Sequence, residues 1–319
     1  MVKKKMILVI AAAAAAAMTC GAAFAAPAFV SIATGGTSGT YYPIGGAIAA
    51  AVSKGGAVNA TAETGNASVA NINLIAQGEI EIAMVQNDIT SWAYNGELMF
   101  EGKPLKNVRA IAALYPEHVQ LVLSKESGIK AIGDLKGKRV GVGAPGSGVE
   151  GDVRAIFQVA GIKYDDMKVD FLDFGQTSSR FKDNQIDAGF VVAGYPTAAL
   201  MDLATTKDVA LLDFDKETLD KLAAAHPYFV PSVIPAGTYR GIDTDTTTPA
   251  VMAILVTHDG VAEDVIYNFT KNLYTNIADV QGAHAMARNI KLETALDGLT
   301  APLHPGAAKY FKEAGLKVE

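Results

Sequence analysis

The chain has 319 residues, of which 50% are hydrophobic and 19% charged, with a formal net charge of −6 and a single cysteine. The apolar share supports a sizeable core, and the acidic balance argues against nucleic acid or an acidic membrane surface as partner, since both need a basic footprint. One cysteine excludes a disulfide within the chain.

Lys3, Lys4 and Lys5 precede an apolar run over residues 6–18, and Ala23-Phe24-Ala25 offers small residues to a signal peptidase. Basic, apolar and small-residue regions in that order predict a cleaved secretory signal over 1–25. The apolar run is short for a membrane span. Ala17-Met18-Thr19 before Cys20 makes a poor lipidation box, so a lipid anchor is not expected and the cysteine leaves with the signal. Loss of three lysines takes the net charge from −6 to −9. About 290 residues remain, enough for two domains.

Residues 29–33 predict a strand, 34–42 a loop and 44–53 a helix. A strand at 58–62, a loop at 63–67 and a helix at 68–77 follow, with Gly78 where a C′ residue belongs. The strand predicted at 80–85 ends at Gln86-Asn87-Asp88. This pattern recurs as strand 139–142, glycine loop 143–148, a helix to Ala160 closed by Gly161, strand 168–172, helix 177–183 and strand 187–192. That last strand stops at Ala193-Gly194-Tyr195-Pro196. Each half reads β, glycine loop, α, β, α, β, and ends in a short apolar run suited to a buried parallel sheet.

Joins are predicted at 124–128 and between His226 and Gly237, where Pro227, Pro231 and Pro235 cluster. Beyond them, 251–257 reads as a strand and 263–274 and 281–290 as helices that return to the first half. The expected fold is α/β and two-lobed, each lobe a mainly parallel sheet flanked by helices, with a hinge and a cleft between them. Residues 26–125 and 236–319 form the first lobe and 126–235 the second. Ligands of such sheets bind outside the carboxyl ends of the strands, where both glycine loops fall.

Three glycines and four hydroxyl side chains crowd residues 35–41, more than a tight turn needs. A strand, a glycine-rich turn and a helix start aim backbone N–H groups at an anion. Gly36, Thr37, Ser38, Gly39, Thr40 and Tyr41 are therefore candidate ligand contacts. Ser147 and Gly148 offer a second helix start. Residues 141–148 look superficially like a phosphate-binding loop, but Val149-Glu150 stands where lysine and a hydroxyl residue are needed. Gln86, Asn87 and Asp88 either contact ligand or cap the next helix, for which Asp88 is the natural N-cap. Tyr195 is a candidate ring for a ligand's aliphatic part.

The glycine spacing of a dinucleotide fingerprint is missing, the five histidines lack metal-ligand spacing, and no nucleophile elbow is present. No cofactor, metal or catalytic constellation is expected.

Residues 31–43, Ser-Ile-Ala-Thr-Gly-Gly-Thr-Ser-Gly-Thr-Tyr-Tyr-Pro, resemble the opening signature of the TAXI group of solute-binding proteins, which serve TRAP-type transporters. Further segments look like that family: Ala-Ala-Leu-Tyr-Pro-Glu at 112–117, Ser-Gly-Ile-Lys at 127–130, Asp-Leu-Lys-Gly-Lys-Arg at 134–139 and the loop at 143–148. Gln-Ile-Asp-Ala at 185–188, Ile-Pro-Ala-Gly-Thr-Tyr at 234–239 and Pro-Leu-His-Pro-Gly at 302–306 do as well. The resemblance implies a periplasmic binding protein of type II that closes on a small solute and hands it to a membrane permease. Relatives run Thr-Gly-Gly-Ser after the residue matching Glu63, whereas this chain has Thr64-Gly65-Asn66-Ala67-Ser68.

The expected ligand is a small carboxylate, such as glutamate or a dicarboxylate like 2-oxoglutarate, held by a monomer. A ligand sensor or surface antigen on the same fold, and a secreted α/β enzyme, are the alternatives.

Overall fold

The computed structural model describes residues 26–318; the signal expected at 1–25, Cys20 included, lies outside the described residues. Strands β1 (Ala28–Ala33), β2 (Val58–Glu63) and β3 (Ile82–Gln86) run parallel with β1 in the middle. Helices α1 (Tyr41–Ser53) and α2 (Ser68–Gln77) connect them, and α3 (Asn87–Asn95) follows. A long strand, β4 (Val108–Ser124), leads into a second parallel set. That set is β5 (Arg139–Gly141), β6 (Lys168–Asp170) and β7 (Ala188–Ala193), with β5 central and α4 (Gly148–Ala160) and α5 (Phe174–Lys182) as connections. Then come α6 (Ala198–Thr206), β8 (Val209–Leu211), α7 (Lys216–Ala225), β9 (Val230–Ile234) and a second long strand, β10 (Thr246–His258). Helices α8 (Glu263–Thr275), α9 (Ile277–Gln281) and α10 (Pro305–Glu313) close the chain.

The strands share one sheet, in the order β2-β1-β3-β10-β4-β7-β5-β6, with β8 on β4 and β9 on β10. The antiparallel β10–β4 pair stands between the two parallel sets. β4 pairs with β10 from Val108 to His118 and with β7 from His118 to Leu123, so one strand serves both sets. Two register shifts leave Leu114 and Ile111 of β4 as extra residues opposite β10. Bulges of this kind bend a strand and increase its twist.

Burial follows the sequence pattern. Every residue of β3 and of β7 is buried, as expected for apolar runs covered on both faces. One face of the first set packs Ile32, Ile44 and Ile48 against Phe269 and Phe311. On the other side a core runs from Ile72 and Trp92 through to Phe157 and Phe190, joining the two sets. Burying such a side chain contributes roughly 1.5–3 kcal/mol.

Helix ends fall where local chemistry puts them. Gly78 and Gly161 stop α2 and α4 with φ of 70° and 67°, left-handed values that glycine adopts without strain. Ser147 caps α4 by accepting from Glu150 N at 3.3 Å. Asp173 accepts from Gln176 N at 2.7 Å while Gln176 Oε1 accepts from Asp173 N at 3.0 Å, a reciprocal box that starts α5 at Phe174, three residues earlier than expected.

Two expectations need correction. The helix expected at 281–290 is the end of α9 followed by a separate 3-10 turn at Met286–Asn289. Its start is set by His284, whose Nδ1 accepts from Met286 N at 3.1 Å. Asp88 is not the N-cap of α3; Gln86 occupies that position, and the Asp88 carboxyl is buried inside the first turn. β4, a stretch to which the sequence reading assigned no element, runs straight through Pro116 and Glu117.

Candidate functional site

A cavity of about 310 Å³ lies where the two parallel sets face each other. Four helix starts reach its wall: Tyr41 of α1, Ser68 of α2, Gly148 and Val149 of α4, and Phe174 of α5. The first N–H groups of a helix have no intrahelical acceptor, and the summed peptide dipoles make that end positive. No lysine or arginine lines the cavity among the described residues. Any attraction of this wall for an anion therefore comes from backbone dipoles and neutral donors.

All six expected residues of the first loop, Gly36 to Tyr41, line this cavity, as do Gln86, Ser147 and Gly148. Asn87, Asp88 and Tyr195 do not. Asn87 turns outward along the strands: its Oδ1 accepts from Met252 N at 3.0 Å and its Nδ2 donates to Gly298 O at 3.0 Å. Asp88 is sealed behind the wall. Tyr195 stands edge-on to His118, ring centres 4.6 Å apart.

Sequence reasoning did not assign Glu117 to the site, nor did it name Leu172, Asp173 and Phe174, all of which line the cavity. Gly65, Asn66, Ala67 and Ser68 line it too; the departure from the family pattern there was the available signal.

Glu117 is 2% exposed. Its Oε2 accepts from Tyr41 Oη–H at 2.7 Å. Burial, reinforced by the nearby Asp88 and opposed by the Tyr41 hydrogen bond, pushes its pKa up to about 8. Burial and the Glu117 charge raise Tyr41 well above the ordinary tyrosine value. Behind Gln86 a second acidic group is sealed in. Gln86 Nε2 donates to Asp152 Oδ2 at 2.8 Å, and Asp152 meets the Asp88 carboxyl. Burial raises both acids, and the neighbouring Asp88 raises Asp152 further, whereas the Asp152 side chain partly offsets the shift of Asp88.

The two sides of the cavity also touch directly. Gly194 N donates to Thr40 Oγ1 at 3.3 Å, Ala199 N to Ser38 O at 3.2 Å, and Ala70 N to Gly146 O at 2.9 Å. Gly148 lies so close to Gln86 and Ser68 that any Cβ there would collide with them. His118, on β4 beside Glu117, bonds Ser232 Oγ through Nε2 at 2.9 Å, and burial lowers its pKa to about 4, which leaves it neutral. Among the described residues no His, Cys, Asp and Glu cluster is placed to hold a metal ion, and no helix is long and apolar enough to cross a membrane.

Two parallel α/β sets, a pair of long strands between them and helix starts converging on the intervening cavity define the fold of periplasmic binding proteins. Solved structures share it. A Bordetella bronchiseptica RB50 protein is similar with a TM-score of 0.55 and 19% identity over 89% of each chain. A Listeria monocytogenes protein whose name links it to an L-cystine ABC transporter has a TM-score of 0.51 and 13% identity over 83% of this chain and 98% of that one. The chain belongs to the NMT1-like family, whose pattern matches residues 32–315.

Proposed function

We propose that this chain is the solute-binding subunit of a TRAP-type transporter of the TAXI group, capturing a small carboxylate in the periplasm and delivering it to its permease. A glutamate-like amino acid or a dicarboxylate such as 2-oxoglutarate is the ligand class. The observation that carries the carboxylate reading is the convergence of four helix starts on a cavity without lysine or arginine in its wall. The transporter assignment is supported by the TAXI-like segments that run in order through the chain. No turnover of the bound solute belongs to this reading.

Neutral donors suffice for such a task. Hydrogen bonds to a charged group contribute roughly 1.5–3 kcal/mol each, so four give about 6–12 kcal/mol gross. Micromolar affinity requires about 8 kcal/mol net. Helix dipoles add about 0.3–1 kcal/mol each. Because the cavity takes wall residues from both parallel sets, a ligand that contacts both favours the closed arrangement, and only such differential contact shifts the equilibrium. In this proposal residues 26–125 with 236–319 form one lobe and 126–235 the other. Flexing falls on β4 and β10, and the permease recognises the closed form.

The test is thermal unfolding of the mature protein with a panel of amino acids, oxo acids and dicarboxylates. At a hundredfold excess over Kd a ligand adds about 2.7 kcal/mol of stability, a melting rise of a few degrees for a chain this size. A panel in which no carboxylate shifts the transition would defeat the carboxylate assignment.

A further inference from the structure

Resting on the carboxylate reading above, we propose that Glu117 selects an ammonium-bearing carboxylate, an α-amino acid, over the matching 2-oxo acid or a plain dicarboxylate. The wall is rich in donors: helix-start N–H groups and the hydroxyls of Thr37 and Ser38. Two carboxyls stand among them: Asp173, which caps α5, and the buried Glu117. Glu117 Oε2 is taken by Tyr41 at 2.7 Å, whereas Oε1 has no hydrogen-bond partner among the described residues. Oε1 is also absent from the sealed-off polar atoms, so it opens on the cavity that Glu117 lines.

Two competing acceptor atoms are already engaged. Gln86 Oε1 accepts from Ser68 Oγ–H at 3.3 Å, and Asp173 Oδ1 caps α5. The charged and titratable groups around Glu117 are Tyr41 on α1, Tyr115 on its own strand and Asp88 on α3, with Asp152 of α4 behind; none is cationic.

This arrangement decides between ligand classes. A dicarboxylate brings two negative charges into a wall with no basic side chain, beside one carboxyl that must stay protonated to tolerate it. An α-amino acid brings its carboxylate to the helix starts and its ammonium to Glu117 Oε1, so the charge on each side meets its complement inside the cavity. Tyr41 holds the carboxyl in orientation from the far oxygen. Before binding, burial keeps Glu117 largely protonated near neutral pH; arrival of the ammonium displaces that proton to solvent.

The test is calorimetric titration of the mature chain at pH 7 with matched pairs: L-glutamate and 2-oxoglutarate, L-leucine and 4-methyl-2-oxopentanoate, L-alanine and pyruvate, with glutarate added. In the pair that binds, the amino acid is expected to be tighter by on the order of tenfold to a hundredfold, the worth of a charge-assisted hydrogen bond. Its binding heat should vary with buffer ionisation enthalpy in the sense of proton release. Glu117→Gln, which keeps an acceptor for Tyr41, should cost the amino acid about tenfold or more and leave the oxo acid within about threefold. An oxo acid or glutarate that binds as tightly as the amino acid, or proton uptake on binding, overturns the role of Glu117 while leaving the carboxylate site standing. Failure of every compound to bind overturns both. The wild-type pairs decide the matter even if the variant does not fold.

Discussion

Asp88 and Asp152 face each other with no cation near them among the described residues, and Glu117 lies close by. In the unfolded chain all three acids titrate near pH 4. In the native chain burial raises all three, Glu117 to about 8. The native state therefore holds more protons than the unfolded one between those values, and stability falls as pH rises. The contribution of these groups is fully present below about pH 4 and is lost as pH climbs through the folded values. Asp152→Asn retains an acceptor for Gln86 and a donor for Asp88 while removing one buried acid. We expect it to melt a few degrees above the wild type at pH 8 and to lose most of that advantage at pH 5, measured by thermal unfolding across pH. Equal pH slopes in variant and wild type would refute the raised pKa of Asp152. None of this was legible in the sequence. Asp88 before Ile89 looks like a helix cap, and the partner of Glu117, Tyr41, is 76 residues away, so local spacing carries no sign of either contact.

At the scale of elements, the site is a set of turns. The α4 start approaches β3 closely because Gly148 has no side chain: a Cβ there runs into Gln86 and lies 2.8 Å from Ser68 Oγ. Gly148→Ala must push Gln86 aside, breaking its 2.8 Å bond to Asp152 and parting two of the four helix starts. Overpacking of this kind costs about 1–3 kcal/mol. Ligand affinity by titration is expected to fall about tenfold or more, with the melting temperature lowered by only a few degrees; unchanged affinity would show that the α4 start takes no part in binding. These turns were the legible part of the chain. Glycines, hydroxyls and caps act over three or four residues, so Ser147, Gly148, Gly161 and the first loop announce themselves. β4 did not, because its residues are held by strands β7 and β10 from far along the chain. A proline and an acid in its middle look like a break until those neighbours are present. The helix expected at 281–290 failed for a related reason, since its apolar spacing runs across a turn that His284 fixes with its own side chain.

Taken whole, the molecule combines a net negative charge with a cavity whose wall, among the described residues, has helix starts but no lysine or arginine. Residues 26–319 carry a net charge of −9, the full-chain −6 less Lys3, Lys4 and Lys5. Dipole fields at helix ends fade within a turn, whereas the net charge acts over roughly a Debye length, about 10 Å at 0.1 M salt. An anionic solute therefore meets repulsion at a distance and attraction only at contact. Its rate of capture should rise with ionic strength, the reverse of proteins that draw anions in with basic funnels. A zwitterion, having no net charge, should be captured at a rate that salt leaves nearly unchanged. Stopped-flow association at 10 and 300 mM salt separates the two, and an anion captured more slowly in high salt would contradict this account of the wall. If the proposed carboxylate site holds, a wall without arginine sets a kinetic character as well as an equilibrium one, with solutes sorted by charge before they reach the cavity.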